Sequence, residues 1–410
     1  MSPLYHPLVQ EFKAFACDSG RHQFFVQAVN SAKDPENGGH LEMSQEGIET
    51  LEDYFRFCDD LLKWVPTVDT EGDALLRKLL VFYWVFNQPE VADYQTSIRP
   101  ENAGSVPKPL SSWQVHYAQE LGSFLSTRES ASGIKSFYEN PIYNKEADLW
   151  QDPPEGGWAS FNQFFARKWK DIDVARPLIP EDKEDNVIVS AADSKFGEQF
   201  PVKNGIVTIG GDNRTVTVKG FAWPINTLLG GLEGFDNGCF MHAFLSPSDY
   251  HRQHAPVSGI VLETKVIQEL VYLQVTKDPD HPGLAPDRGL LVKKPPVGQK
   301  RLRDPTAGSG KNPRKLDAPD EPGYQWCQTR GVVVIQTDNY GKVAILPIGM
   351  AQVSSVVLTV KPGQSVEKGD EISYFQFGGS DIVLVFEKPV DYCVEFGHKC
   401  NVRSRIATFK

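Results

Sequence analysis

The sequence predicts an α+β fold, a helical N-terminal region followed by a mainly β, barrel-like or sandwich-like domain, and changes of texture along its 410 residues carry that expectation. Up to about residue 100, apolar residues recur at three- and four-residue spacings, as in Leu51, Tyr54, Phe55, Cys58, Leu61 and Leu62, the period of an amphipathic helix. From residue 187 onward, short β-branched runs alternate with glycine and Asn/Asp turns, the texture of strands. Between them, Asp152-Pro153-Pro154-Glu155-Gly156-Gly157 marks a junction, so residues 1–157 and 158–410 are expected as two domains.

Taken in order, Gln10 to Phe15 reads as an early helical piece. Ser44, followed by Glu46 and Gly47, resembles a helix start. Leu79 to Phe86 is the longest apolar run, far short of the roughly 20 residues that span a bilayer, and Leu75 to Phe86 reads as a surface helix able to meet lipid. A further helix is expected around Trp113 to Leu125. Phe161, Phe164 and Phe165 share one face of a short helix, with Arg167 and Lys168 turned outward. Strands are expected at 187–190, 206–209, 215–218, 332–335, 342–346 and 354–358, with a turn at Asn339-Tyr340-Gly341. Lys293 to Lys315 holds eight basic residues against the single acid Asp304, a local +7, so a mobile basic insert is expected over about 276–325. It reads as a solvated loop, an active-site lid, or a contact for anionic membrane or partner.

The net charge of −11 argues against general nucleic-acid binding and gives no overall attraction to anionic lipid. Six scattered cysteines, with no CxxC pair, argue against a zinc cluster or a disulfide framework. Met1 to His6 lacks the basic start and apolar core of a signal peptide. A soluble, cytoplasmic protein without a transmembrane segment is the expectation.

Three segments carry chemistry. In 371–387, two apolar, β-favouring runs flank Gly378-Gly379-Ser380, placing a hydroxyl at a flexible break between strands. Gly379 has no Cβ and tolerates strained backbone, so the Ser380 hydroxyl can reach the preceding carbonyl and turn an amide into an ester; a plain Gly-Gly bulge with an exposed serine fits the triplet as well. In Leu245 to Gly259, His251 and His254 stand three apart beside Asp249 and Tyr250. They could pair on a metal, but no third ligand at a clear spacing accompanies them, and no metal is expected. Asp193, after the strand at 187–190, reads as a turn former or as the carboxylate of a Ser-His-Asp arrangement with His254 and Ser380.

These segments resemble the phosphatidylserine decarboxylase family over roughly residues 158–410. Pro247-x-Asp249-Tyr250-His251-Arg252-x-His254-x-Pro256-x-x-Gly259 matches the family pattern position by position. Ser190 to Ser194 resembles its Ser-Pro-Ala-Asp-Gly loop, with Ala191 and Ser194 in place of Pro and Gly. Phe164-Phe165-x-Arg167, Arg176-Pro177, Lys219-Gly220 with Leu228-Leu229-Gly230, and Lys368-Gly369-Asp370-Glu371 leading to Gly379-Ser380 complete the likeness. The N-terminal extension resembles that of soluble members, including those acting on free tryptophan.

The resemblance implies that Asp193 orients His254, that His254 takes the Ser380 proton, and that the chain cleaves itself between Gly379 and Ser380. A pyruvoyl group derived from Ser380 would then serve as cofactor, forming a Schiff base with the substrate amine. His251 is implied in substrate positioning or proton donation, and Tyr250 with it in substrate binding. Homo-oligomers are usual in this family, so at least a dimer is expected. The substrate implied is a soluble L-amino acid, aromatic ones included, with phosphatidylserine as the alternative. A Ser-His-Asp hydrolase or an unprocessed, non-catalytic homologue are the further readings. Asp381, where the family commonly has Thr or Ser, puts the efficiency of processing in question.

Overall fold

The computed structural model describes residues 5–69, 74–209, 221–278, 282–286, 323–349, 351, 355–377 and 379–410. Helices come first: α1 (Pro7–Ala16), α2 (His22–Ala32), α3 (His40–Gln45), α4 (Leu51–Leu61), α5 (Ala74–Phe86), α6 (Pro109–Phe124), α7 (Lys135–Glu139) and α8 (Phe161–Phe165). α4 starts at Thr50, whose hydroxyl accepts from the Asp53 N–H while the Asp53 carboxylate accepts from the Thr50 N–H, a reciprocal cap. Ser44, read from sequence as a helix start, lies instead near the end of α3.

The larger correction concerns α5. Nine of its thirteen residues are buried, among them every position from Leu79 to Phe86. It is the core of the helical region, with Phe82 and Phe86 packed against Phe12, Tyr54, Trp113 and Tyr117. A run apolar on all sides belongs inside, so Leu79 to Phe86 offers no surface on which lipid could dock. Among the described residues, no helix is long and apolar enough to cross a membrane.

The strands follow as β1 (Val187–Val189), β2 (Ser194–Pro201), β3 (Ile206–Ile209), β4 (Phe221–Pro224), β5 (Cys239–Phe244), β6 (Arg252–His254), β7 (Gly259–Ile267), β8 (Val275–Lys277) and β9 (Leu284–Pro286). After the stretch 287–322 come β10 (Arg330–Gln336), β11 (Lys342–Gly349), β12 (Val356–Leu358), β13 (Ser365–Val366), β14 (Glu371–Phe375), β15 (Gly379–Phe386), β16 (Val390–Tyr392), β17 (Lys399–Cys400) and β18 (Arg405–Phe409). Eight of them form one curled antiparallel sheet in the order β13-β7-β10-β11-β15-β5-β2-β17. A second sheet, β12-β14-β6, carries the histidine segment. The mixed, strand-rich architecture is the α+β class expected from sequence, and the strands expected at 206–209, 332–335 and 342–346 lie within β3, β10 and β11. The strand expected at 215–218 and most of the basic insert lie outside the described residues.

The helical and strand regions are stitched together. The Val275 N–H donates to Asn87 Oδ1 at 2.7 Å and the Leu284 N–H to Glu42 Oε1 at 2.6 Å. Trp64, from the helical side, packs edge-on against Phe377 at 6.2 Å between centroids. Replacing Thr50 by Ala removes one half of the α4 cap and is expected to cost about 1 kcal/mol of stability, read as a lowered melting temperature with unchanged far-UV circular dichroism.

Candidate active site

Local pairing brings the predicted segments together. β6 lies antiparallel to β14, with Glu371 opposite His254 and Tyr374 opposite Arg252, and the Phe375 N–H donates to the His251 carbonyl at 2.9 Å. The histidine segment therefore runs beside the strand that leads into Gly378-Gly379-Ser380. β15 begins at Gly379 and inserts between β11 and β5. On the near side of the Gly-Ser bond, the Phe377 N–H donates to Asn162 Oδ1 at 3.0 Å, and the Phe377 ring packs on Phe161 and Phe165 at 5.3 and 5.4 Å. On the far side, Asp381 is fully buried. Both flanks of the bond are thus held by separate contacts.

His254 is buried, with Nδ1 2.7 Å from the Gly369 carbonyl and Nε2 3.2 Å from the Tyr250 hydroxyl. A carbonyl can only accept, so Nδ1 carries the proton and Nε2 presents its lone pair to the Tyr250 O–H. Burial holds its pKa down to about 4, opposed by the bond to Gly369 and aided by Arg403. The imidazole is therefore neutral and able to accept a proton at Nε2. Tyr250, stacked on Trp169 at 5.2 Å, is in turn pushed well above the usual phenol range, chiefly by burial.

His251 is also buried and lies flat on Phe165, with ring centroids 3.8 Å apart. Burial, reinforced by the charges of Arg167 and Lys399, keeps it well below the usual imidazole range, so it too is neutral. Of the phenylalanines expected on the inner face of 161–168, Phe165 is its packing partner, while Phe161 and Phe164 are buried against Phe137. Arg167, expected to face outward, is itself buried, with its guanidinium 3.9 Å from the centre of the Trp150 ring.

Asp193 is placed differently from a direct partner of His254. Its carboxylate accepts from Arg176 Nε at 2.9 and 3.1 Å and from Arg176 Nη2 at 2.6 Å, while the Val402 N–H donates to Oδ1 at 2.7 Å. The link to His254 runs through the backbone. The His254 N–H donates to the Ala191 carbonyl at 2.8 Å, and Arg403 Nε donates to the same Gly369 carbonyl that receives His254 Nδ1. Asp193 therefore braces the loop and the 402–403 turn around His254 rather than touching the ring.

Sequence reasoning missed Asn162, which sat unremarked inside the Phe161 to Lys168 segment, and, although it singled out Asp381, missed the polar side chains gathered near it: Glu198 and His242 in the main sheet and Tyr324 in the turn before β10. His242 was visible as the one polar residue in Phe240-Met241-His242-Ala243-Phe244. Tyr324, beyond a long insert, had no local signal.

Residues 161–408 match the family described as phosphatidylserine decarboxylase, which places the chain in a class of carboxy-lyases. The chain belongs to the phosphatidylserine decarboxylase family. It resembles a phosphatidylserine decarboxylase proenzyme of Fusobacterium nucleatum, 30% identical over 68% of this chain and 73% of that protein. It also resembles Decarboxylase iboD of Amanita muscaria, 27% identical over 78% of this chain and 87% of the other. An L-tryptophan decarboxylase of Psilocybe cyanescens is 26% identical over 57% of this chain and 48% of the other. Across the curated relatives, the matched part spans from 18% to 87% of their length.

Two outcomes follow for pH and mutation. His254 titrates near 6.5 when unfolded and about 4 when folded, so the unfolded chain binds more protons in that interval and stability falls as pH drops through it. Melting temperature measured from pH 7 to pH 4 should decline, with a shallower decline in His254→Gln. Asp193→Asn leaves the buried Arg176 without its closest carboxylate and should destabilise the fold by roughly 3 kcal/mol in a denaturant titration.

Proposed function

We propose that this chain is a pyruvoyl-dependent decarboxylase that cleaves itself between Gly379 and Ser380 and acts on a soluble L-amino acid, aromatic ones included. The observation that carries the reading is the pairing of β6 with β14, which sets the neutral His251 beside Phe375, near the Gly-Ser bond, and the neutral His254 beside Glu371, at the start of the same strand.

In this reading the Ser380 hydroxyl attacks the Gly379 carbonyl, and its proton passes to His254 Nε2. The C–N bond breaks, leaving an ester and the free amine of residue 380. β-Elimination then breaks the Cβ–O bond, giving a Gly379 carboxylate and a dehydroalanine. Water hydrolyses the dehydroalanine's imine form and ammonia leaves, so that residue 380 becomes a pyruvoyl group on the Asp381 nitrogen.

The residues present fit such a group. Phe377 and Asp381 are each anchored independently, so a break between them does not release either end. When formed, the pyruvoyl carbonyl supplies an electron sink for charge left at the substrate α-carbon. Phe161, Phe165 and Phe377, packed together on the near side of the Gly379-Ser380 bond, would exclude water there, which disfavours a charged carboxylate and so favours its loss. His251, neutral against the Phe165 face, is suited to take up a proton transiently and pass it readily to that carbon. Tyr250, through its hydroxyl on His254 Nε2, fixes which nitrogen accepts.

A free amino acid is favoured over phosphatidylserine because Leu79 to Phe86 is interior and offers lipid no helical face. The name of the relative from Psilocybe cyanescens, an L-tryptophan decarboxylase, leans the same way. Intact mass under denaturing conditions should give two chains parted after Gly379, the smaller one lacking a free amine, and a single full-length chain for Ser380→Ala. One full-length wild-type species would end the pyruvoyl reading. Carbon dioxide release from tryptophan but not from phosphatidylserine vesicles is the expected second result, and the reverse would transfer the assignment to the lipid.

A further inference from the structure

The residue that follows Ser380 is the centre of a buried polar cluster separate from His251 and His254. Asp381, on β15, accepts a hydrogen bond at Oδ2 from the Tyr324 hydroxyl, and His242 Nε2 on β5 lies 3.3 Å from the same oxygen. His242 Nδ1 is 3.6 Å from Glu198 Oε2 on β2. Asp381 and His242 have no exposed surface, and Glu198 and Tyr324 are also buried. The approach of Glu198 depends on an irregularity in β2, whose register against β5 slips between Phe196 and Gln199. Gly197 sits in that slip, where a Cβ would lie 2.7 Å from the His242 carbonyl, so a side chain there would force the strands apart.

The titratable groups facing His242 are Asp381 from β15, Glu198 from β2 and Tyr324 from the turn before β10; the Phe244 ring closes another side at 4.5 Å. Burial works against charge on this imidazole, but the two carboxylates outweigh it and raise its pKa to about 9.

Stability gives little reason for such a cluster. A buried ion pair typically contributes no more than well-packed apolar side chains would, and the positions that follow, Ile382, Val383, Leu384 and Val385, are buried and apolar. Its place in the chain gives a better reason. The register between β15 and β11 slips between Ile348 and Gly349, opposite the residues on either side of Ser380. A strand end at a chain break frays unless something ties it, and here the ladder is irregular where the tie is needed.

We propose that Asp381 is a positioning residue for self-cleavage and for the group that cleavage leaves behind: Tyr324 and His242 clamp its carboxylate so that its backbone nitrogen stays in the sheet once residue 380 is a chain end. This rests on the self-cleaving reading given above. The role unites a carboxylate at position 381 with His242 and Tyr324, from distant parts of the chain, in a single device.

The test follows the full chain made by cell-free synthesis, transferred to buffers between pH 6 and pH 10, with cleavage timed by intact mass. Wild type, Asp381→Asn, His242→Gln and Tyr324→Phe are compared, and circular dichroism reports folding. Wild-type cleavage should hold steady and then slow as pH passes about 9, where His242 loses its proton. Asp381→Asn should cleave about tenfold more slowly, the loss of one charge-assisted hydrogen bond. Its decline should begin at lower pH, because burial discharges His242 sooner without that carboxylate. His242→Gln should be slow and lose the alkaline limb. Tyr324→Phe, which removes only a hydroxyl, should be slowed severalfold with the limb unmoved, and it decides the matter if the Asp381 variant does not fold. Wild-type rates and an unshifted limb in Asp381→Asn, or wild-type rates in Tyr324→Phe, would overturn the clamp while leaving self-cleavage in place. An uncleaved wild-type chain would overturn both.

Discussion

Antiparallel pairing of β6 with β14 is the constraint on which the rest of the site depends. It joins parts of the chain 115 positions apart, as counted from His254 to the Gly369 carbonyl that fixes its ring. Closing so long a loop costs entropy that only a set of mutually supporting contacts can offset. Here the ladder supplies some, and the bonds from His254 to Gly369, from Arg403 to Gly369 and from His254 to Ala191 supply the rest. The same carbonyl receives an imidazole and a guanidinium, so the tautomer of His254, the placement of the 402–403 turn and the approach of the Asp193 loop are settled together.

The three buried histidines show how surroundings assign different states to one side chain. His251 and His254 sit among aromatic rings and cations, and burial leaves them neutral. His242 is as deeply buried but faces two carboxylates, and they win over burial. In one small domain, the chain keeps two imidazoles able to accept a proton and one that already holds it. Neutral and charged imidazoles are thus set on separate segments of the chain by what surrounds each.

Much of this was legible in the sequence. The switch from three- and four-residue spacing to short β-branched runs gave the α+β class, and the motifs at 190–194, 247–259 and 368–380 gave the segments that converge. Side-chain direction was less legible. Arg167 looked outward on a helical wheel, yet the helix ends at Phe165 and the chain then turns, so the wheel no longer applied. α5 looked like a lipid-facing helix because its apolar run was read alone, whereas its partners lie on α1, α4 and α6. Asp193 was read against His254 because a three-residue template led that way; the bidentate guanidinium of Arg176, seventeen positions earlier, was the stronger competitor for its oxygens. The cluster around Asp381 draws on three strands, β15, β5 and β2, and a turn, a convergence that no window of sequence contains.

The edge-on contact between Trp64 and Phe377 makes the helical region something other than an appendage. Phe377 stands two residues from Gly379, and part of its cover is contributed by a residue more than three hundred positions earlier in the chain. The helical region therefore forms part of the wall around the segment that leads into β15, and Trp64 is where the first third of the chain meets the last.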